Sequence, residues 1–131
     1  MRRVVVDASV LATVAFAEDG AEEWIPRLEG AELYAPTLLR YELANVARTR
    51  CRRQPDKTRD ILEALDRALD PAYGVTFIDP NPMDVTVLAN LTGLSAYDAT
   101  YLWLAGYLSA DLVTRDRQLA AAAEPYTAVE Y

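Results

Sequence analysis

Four acidic residues, Asp7, Glu42, Asp98 and Asp116, stand where a carboxylate has little structural reason to be. Asp7 follows the apolar run Val4-Val5-Val6, and Asp116 follows Leu112-Val113-Thr114, so both sit at the carboxyl end of a candidate buried strand. In open α/β sheets, ligands bind beyond those ends, at the point where strand order reverses. Aspartate is also a favoured helix N-cap, so capping is the competing explanation for each. Glu42 shares a helical face with Leu38 and Val46 and interrupts an apolar stripe flanked by Leu39 and Leu43. A buried carboxylate without a partner costs several kcal/mol or surrenders its charge, and a salt bridge to an arginine is the structural alternative. Asp98 precedes residues 99–108, which carry no charge, and predicts a helix buried nearly all round. Its alternative is a capping box with Ser95, aspartate replacing the usual Glu or Gln.

If the four converge, their chemistry is constrained. Two like charges about 4 Å apart repel by about 4 kcal/mol at an effective dielectric near 20. Four such groups must be protonated or neutralised by a divalent cation. An all-oxygen donor set favours a hard ion, Mg²⁺ or Mn²⁺. An ion of that kind activates water and stabilises charge building on a phosphodiester, so metal-assisted phosphodiester hydrolysis is the reaction that fits.

The rest of the composition removes competitors. The chain of 131 residues has no histidine, which excludes Ser-His-Asp catalysis and histidine zinc sites. Cys51 is the lone cysteine and Lys57 the lone lysine, and neither a GxGxxG nor a Walker motif occurs. A single thiol fits a reducing, cytoplasmic setting. Apolar residues at 52% and charged residues at 25% fit one globular domain spanning 1–131. The net charge of −7 argues against a broadly basic nucleic-acid surface, so any polynucleotide must be met through a local cation. Met1-Arg2-Arg3 before an apolar run, with Ala15-Phe16-Ala17 beyond, imitates a secretion signal. Asp7 falls inside its would-be apolar core, which suits the end of a buried strand better. No apolar run reaches membrane-span length.

The elements that must position the acids follow from pattern and punctuation. Strands are predicted over 3–6, 32–35, 74–78 and 111–114, with a fifth over 127–129. Helices are predicted over 8–17, 21–28, 37–53, 56–69, 83–91, 96–108 and 117–123. Strands separated by helices imply an α/β fold, a parallel sheet covered on both faces.

These residues resemble the PIN domain family, and more narrowly VapC-type toxin ribonucleases of toxin–antitoxin systems. The resemblance rests on Val5-Val6-Asp7-Ala8-Ser9, then Tyr41-Glu42-Leu43-Ala44-Asn45-Val46, then Tyr97-Asp98-Ala99-Thr100-Tyr101-Leu102-Trp103-Leu104-Ala105, and Leu112-Val113-Thr114-Arg115-Asp116 followed by Leu119. The resemblance implies a three-layer α/β/α fold around a four- or five-stranded parallel sheet. It implies a Mg²⁺- or Mn²⁺-dependent endoribonuclease with Asp7, Glu42, Asp98 and Asp116 as the catalytic set. Asp7 and Asp98 are the metal ligands so implied, while Glu42 and Asp116 complete the site or orient water. Ser9 and Thr114 match positions where the family often places a hydroxyl, and otherwise read as a helix cap and a strand-end residue. Asn45, at i+3 from Glu42, either supports the site or packs. An RNA substrate, a homodimer and a cognate antitoxin are implied as partners; the alternative is a non-catalytic PIN-like module that binds RNA or protein.

Two further features bear on partners. Arg48, Arg50, Arg52 and Arg53 either complement the C-terminus of their helix or form a phosphate-contacting edge that guides RNA. Tyr97, Tyr101, Trp103 and Tyr107 either stack on bases or, as apolar helical spacing favours, pack in a core or dimer interface.

Overall fold

Val4, Val5 and Val6 have no exposed surface, because β1 (Arg3–Val6) is the middle strand of a parallel sheet covered on both faces. The computed structural model describes residues 1–131. Four more strands complete the sheet: β2 (Glu32–Pro36), β3 (Val75–Ile78), β4 (Asp111–Val113) and β5 (Val129–Glu130). Their spatial order is β3-β2-β1-β4-β5, every pair parallel. The chain winds outward from β1 to β3 on one side, then returns to β1 and winds outward again through β4 and β5. Strand order therefore reverses between β1 and β4, the place where an open sheet offers a crevice.

Seven helices flank the sheet: α1 (Ala8–Ala15), α2 (Ala21–Leu28), α3 (Leu38–Arg53), α4 (Thr58–Leu69), α5 (Pro82–Thr92), α6 (Ala96–Leu108) and α7 (Arg117–Ala123). Helices α1, α3 and α4 pack on one another, α5 packs on α6, and α6 lies across β1, β2 and β4. The expected α/β class, parallel sheet and fifth strand are all present. The first helix stops two residues short of its expected end, since Ala17 turns the chain at φ 50°. In α3, Leu39, Leu43 and Ala47 face the core, which turns Leu38, Glu42 and Val46 to its margin. No helix is long and apolar enough to cross a membrane.

One expectation fails. Helix α6 is uncharged after Asp98 but is not buried all round: Tyr97 and Tyr107 are exposed, and Trp103 stacks on Tyr107 with ring centroids 4.9 Å apart. Absence of charge shows that a helix tolerates burial, not that every face is covered.

The register sets up the site. Val5 pairs with Leu112 and Val6 with Val113, so Asp7 and Thr114 leave the sheet side by side. The Asp7 N–H donates to the Val113 carbonyl at 3.0 Å, carrying the pairing one residue past β1.

Candidate active site

Asp7 is 8% exposed and makes no side-chain cap to α1. Its Oδ2 instead accepts the Ser9 hydroxyl at 3.0 Å and the Thr114 hydroxyl at 2.6 Å. Both hydroxyls are fixed from behind by the β4–α7 loop. Ser9 Oγ accepts the Arg115 N–H at 3.0 Å, and Thr114 Oγ1 accepts the Asp116 N–H at 2.9 Å. A carboxylate at the end of β1 is thus oriented by two hydroxyls whose own orientation is set by the loop after β4. Burial raises the Asp7 pKa, the two hydroxyls oppose that rise, and the charge of Asp116 adds to it.

Asp116 does cap a helix: its Oδ1 accepts the N–H groups of Gln118 at 2.9 Å and Leu119 at 3.1 Å. Capping uses one oxygen and leaves the other for a ligand, so the structural and chemical readings coexist.

Glu42 is half-buried on α3 and pairs with no arginine; the Tyr101 hydroxyl donates to its Oε1. Burial raises the Glu42 pKa, the Tyr101 bond lowers it, and the charges of Asp7 and Asp98 raise it further. Tyr101 is 1% exposed, and its own pKa is driven upward by burial and then by Glu42 and Asp7, so it remains a donor. Asp98 lies in the first turn of α6, where Ser95 Oγ accepts its N–H at 3.1 Å. Burial raises the Asp98 pKa, and the charges of Asp116 and Asp7 raise it further.

The four acids therefore arrive from the end of β1, α3, α6 and the β4–α7 loop, and the charges of Asp7, Asp98 and Asp116 act on other members of the set. None of them forms an ion pair. No three stand close enough together to hold an ion between them as placed. In donor chemistry the set fits a hard dication: all oxygen, mutually repelling and uncompensated by any side-chain cation.

Beside the acids, a cleft of ≈ 730 Å³ between α1 and α3 is lined by Ser9, Thr13, Glu42, Asn45 and Arg115 among others. A roomier recess of ≈ 870 Å³ lies between α5 and α6, walled by Val87, Leu91, Trp103 and Tyr107, and contains none of the four acids. Asn45 is exposed on the cleft wall next to Glu42. The arginine cluster divides. Arg50 pairs with Glu18 at 2.9 Å, while Arg48, Arg52 and Arg53 are exposed on the C-terminal half of α3. Arg53 lies about 16 Å beyond Glu42 along the helix axis at 1.5 Å per residue. Three participants escaped sequence reasoning: Tyr101 as the partner of Glu42, Thr13, and Arg115 as a cleft residue. Only the first left a signal, since a phenol in a buried apolar stretch must find a hydrogen-bond partner.

Comparison with known proteins agrees with this fold. The profile of the PIN domain matches residues 4–125. The chain belongs to the PIN domain family. Within the PIN family it is 34% identical over 122 residues to ribonuclease VapC3 of Pyrobaculum aerophilum, covering 90% of this chain and 92% of the relative. The PIN fold here superimposes on the crystal structure of PAE2754 from Pyrobaculum aerophilum with a TM-score of 0.76 at 27% identity, over 98% of this chain and 83% of the other. It also matches FitAcB from Neisseria gonorrhoeae in fold, with a TM-score of 0.68 at 20% identity, over 98% and 96% of the two chains. VapBC2 of Rickettsia felis, solved bound to a DNA fragment from its promoter, shares the fold at a TM-score of 0.67 and 14% identity, over 98% and 97%.

Proposed function

We propose that this PIN domain is a metal-dependent endoribonuclease, the toxin of a type II toxin–antitoxin pair acting in the cytoplasm on RNA. The observation that supports the reading is that Asp7, Glu42 and Asp98 are each perturbed by the charge of other members of the set, Asp116 included, while none of the four is ion-paired. Similarity to a ribonuclease named VapC3 over nearly the whole chain supplies the substrate class. In this reading Asp7 and Asp98 hold Mg²⁺ or Mn²⁺, and Glu42 and Asp116 complete the site or orient the attacking water. The bound ion supplies the Lewis-acid stabilisation that hydrolysis of a phosphodiester requires. The chain's own residues do the rest. Ser9 and Thr114 aim Asp7, Tyr101 aims Glu42, and the α7 backbone fixes Asp116 through one oxygen and leaves the other uncommitted. A cognate antitoxin and a second copy of the chain are the protein partners in this reading.

The decisive experiment is RNA cleavage by the purified chain with Mn²⁺, with EDTA, and with Asp98→Asn. Cleavage only by the wild type with metal is expected. Wild-type cleavage that survives EDTA ends the metal mechanism. A second reading, a PIN scaffold that binds without catalysis, is favoured by one observation: no three acids are drawn together as placed. Calorimetric titration with Mn²⁺ separates the two, because a scaffold without catalysis has no need of a saturable ion.

A further inference from the structure

Arg115 is the only basic residue lining the cleft that contains Ser9, Glu42 and Asn45. In a chain of net charge −7, a guanidinium beside acids ordinarily closes on a carboxylate. This one forms no ion pair. The two acids lining the same cleft are engaged by other donors, Glu18 by Arg50 at 2.9 Å and Glu42 by the Tyr101 hydroxyl. Arg115 is held by neutral groups instead. Its backbone N–H donates to Ser9 Oγ at 3.0 Å, and its Nη1 donates to Thr13 Oγ1 at 2.6 Å. Thr13 is 1% exposed and its hydroxyl donates to the Ser9 carbonyl at 2.9 Å, so the oxygen that receives Arg115 cannot swing away.

The result is a cation fixed at the rim of an acidic crevice with most of its five N–H donors unspent. A guanidinium is a planar fork that matches two non-bridging oxygens of a phosphate. We infer that Arg115 clamps a backbone phosphate of the RNA strand lying in the α1–α3 cleft, an assignment that rests on the ribonuclease reading above. Four carboxylates repel a polyanion, and a strand placed against them needs a counter-charge that the acids have not already consumed. Tethering through a threonine hydroxyl supplies one, because binding RNA then breaks no ion pair of the protein.

The test is fluorescence anisotropy of a labelled single-stranded RNA 12-mer, without metal, in an Asp98→Asn background that does not cut and leaves the Ser9–Arg115 contact intact. Adding Arg115→Ala is expected to weaken binding about tenfold or more. The slope of log K against log salt should become shallower by about 0.7, the share of one phosphate on a single strand. Arg115→Lys should restore the slope but only part of the affinity, since the charge returns without the fork. Thr13→Val, which frees the guanidinium and keeps its charge, should weaken binding with the slope retained. Arg59→Ala, which removes an equal charge from an exposed stretch of α4, should change neither. The Ser9 contact is made by the backbone and survives every Arg115 substitution, and melting curves verify folding. Equal affinity and slope for Arg115→Ala and its parent overturn the assignment, as does binding too weak to detect in both. Wild-type cleavage with Mn²⁺ is assayed separately, so loss of the nuclease reading and loss of the clamp appear in different measurements.

Discussion

At the scale of single residues, Asp7, Glu42 and Asp116 are carboxylates aimed by neutral donors rather than by a cation. Asp7 has Ser9 and Thr114, and Glu42 has Tyr101. Neutral donors orient a carboxylate without cancelling its charge, which suits the proposed role of attracting a dication. Tyr101→Phe deletes one such donor at nearly constant volume. The lost bond favoured the ionised form of Glu42, so its pKa must rise further. The acid limb of the pH–rate profile should therefore move to higher pH, with kcat/KM lowered roughly tenfold on that limb. A profile superimposable on the wild type would show that the phenol does not govern Glu42. Asp98→Asn makes the complementary point. It should reduce cleavage by at least about a hundredfold, in the range lost with a catalytic electrostatic group. It should also raise the melting temperature of the metal-free chain by about 2 °C, since it removes a charge repelled by Asp7 and Asp116.

At the scale of elements, α7 shows how one aspartate serves structure and chemistry together. Asp116→Asn keeps an oxygen that accepts the Gln118 and Leu119 N–H groups, whereas Asp116→Ala does not. Urea unfolding should place the asparagine variant near the wild type and the alanine variant about 1 kcal/mol below it. Both should lose most of their cleavage; activity retained by the asparagine variant would reduce Asp116 to a cap. Element existence was legible wherever punctuation was strong. Helix α6 spans Ala96–Leu108 as expected because Gly93-Leu94-Ser95 supplies both a stop and a cap. Asp7 was legible as a buried acid at a strand end because an acid after an all-valine run has few structural uses. The partners were not. Tyr101 reaches Glu42 across 59 residues and Arg50 reaches Glu18 across 32, and no periodicity encodes which helix faces meet. The open face of α6 was illegible for a related reason: hydrophobicity reports what a face tolerates, and only packing decides what covers it.

At the scale of the whole molecule, the acidic set costs folding stability, and linkage makes that cost measurable. Asp7, Glu42 and Asp98 all hold protons more tightly in the folded chain than ordinary carboxylates do. Between the unfolded and the raised folded pKa values the native state binds more protons, so stability falls as pH rises through that window. Metal-free protein should accordingly become more heat-stable as pH falls from neutrality through the raised folded pKa values. The chain has no histidine, so no imidazole titrates in that interval to confuse the result. Saturating Mn²⁺ should reverse the slope, because the ion binds the deprotonated set and its affinity weakens as protons compete. At neutral pH and a hundredfold excess over Kd, the ion adds about 2.7 kcal/mol, or roughly 10 °C in a domain of this size. Paired melting curves at pH 5, 6 and 7, with Mn²⁺ and with EDTA, therefore give two lines of opposite slope. Parallel lines would mean that the protons and the ion do not compete for the same oxygens, and the acids would then have to be explained without a metal. In Asp7→Asn the metal-dependent separation should collapse at every pH while the remaining carboxylates preserve part of the metal-free slope, which ties the effect to the crevice rather than to the net charge of −7.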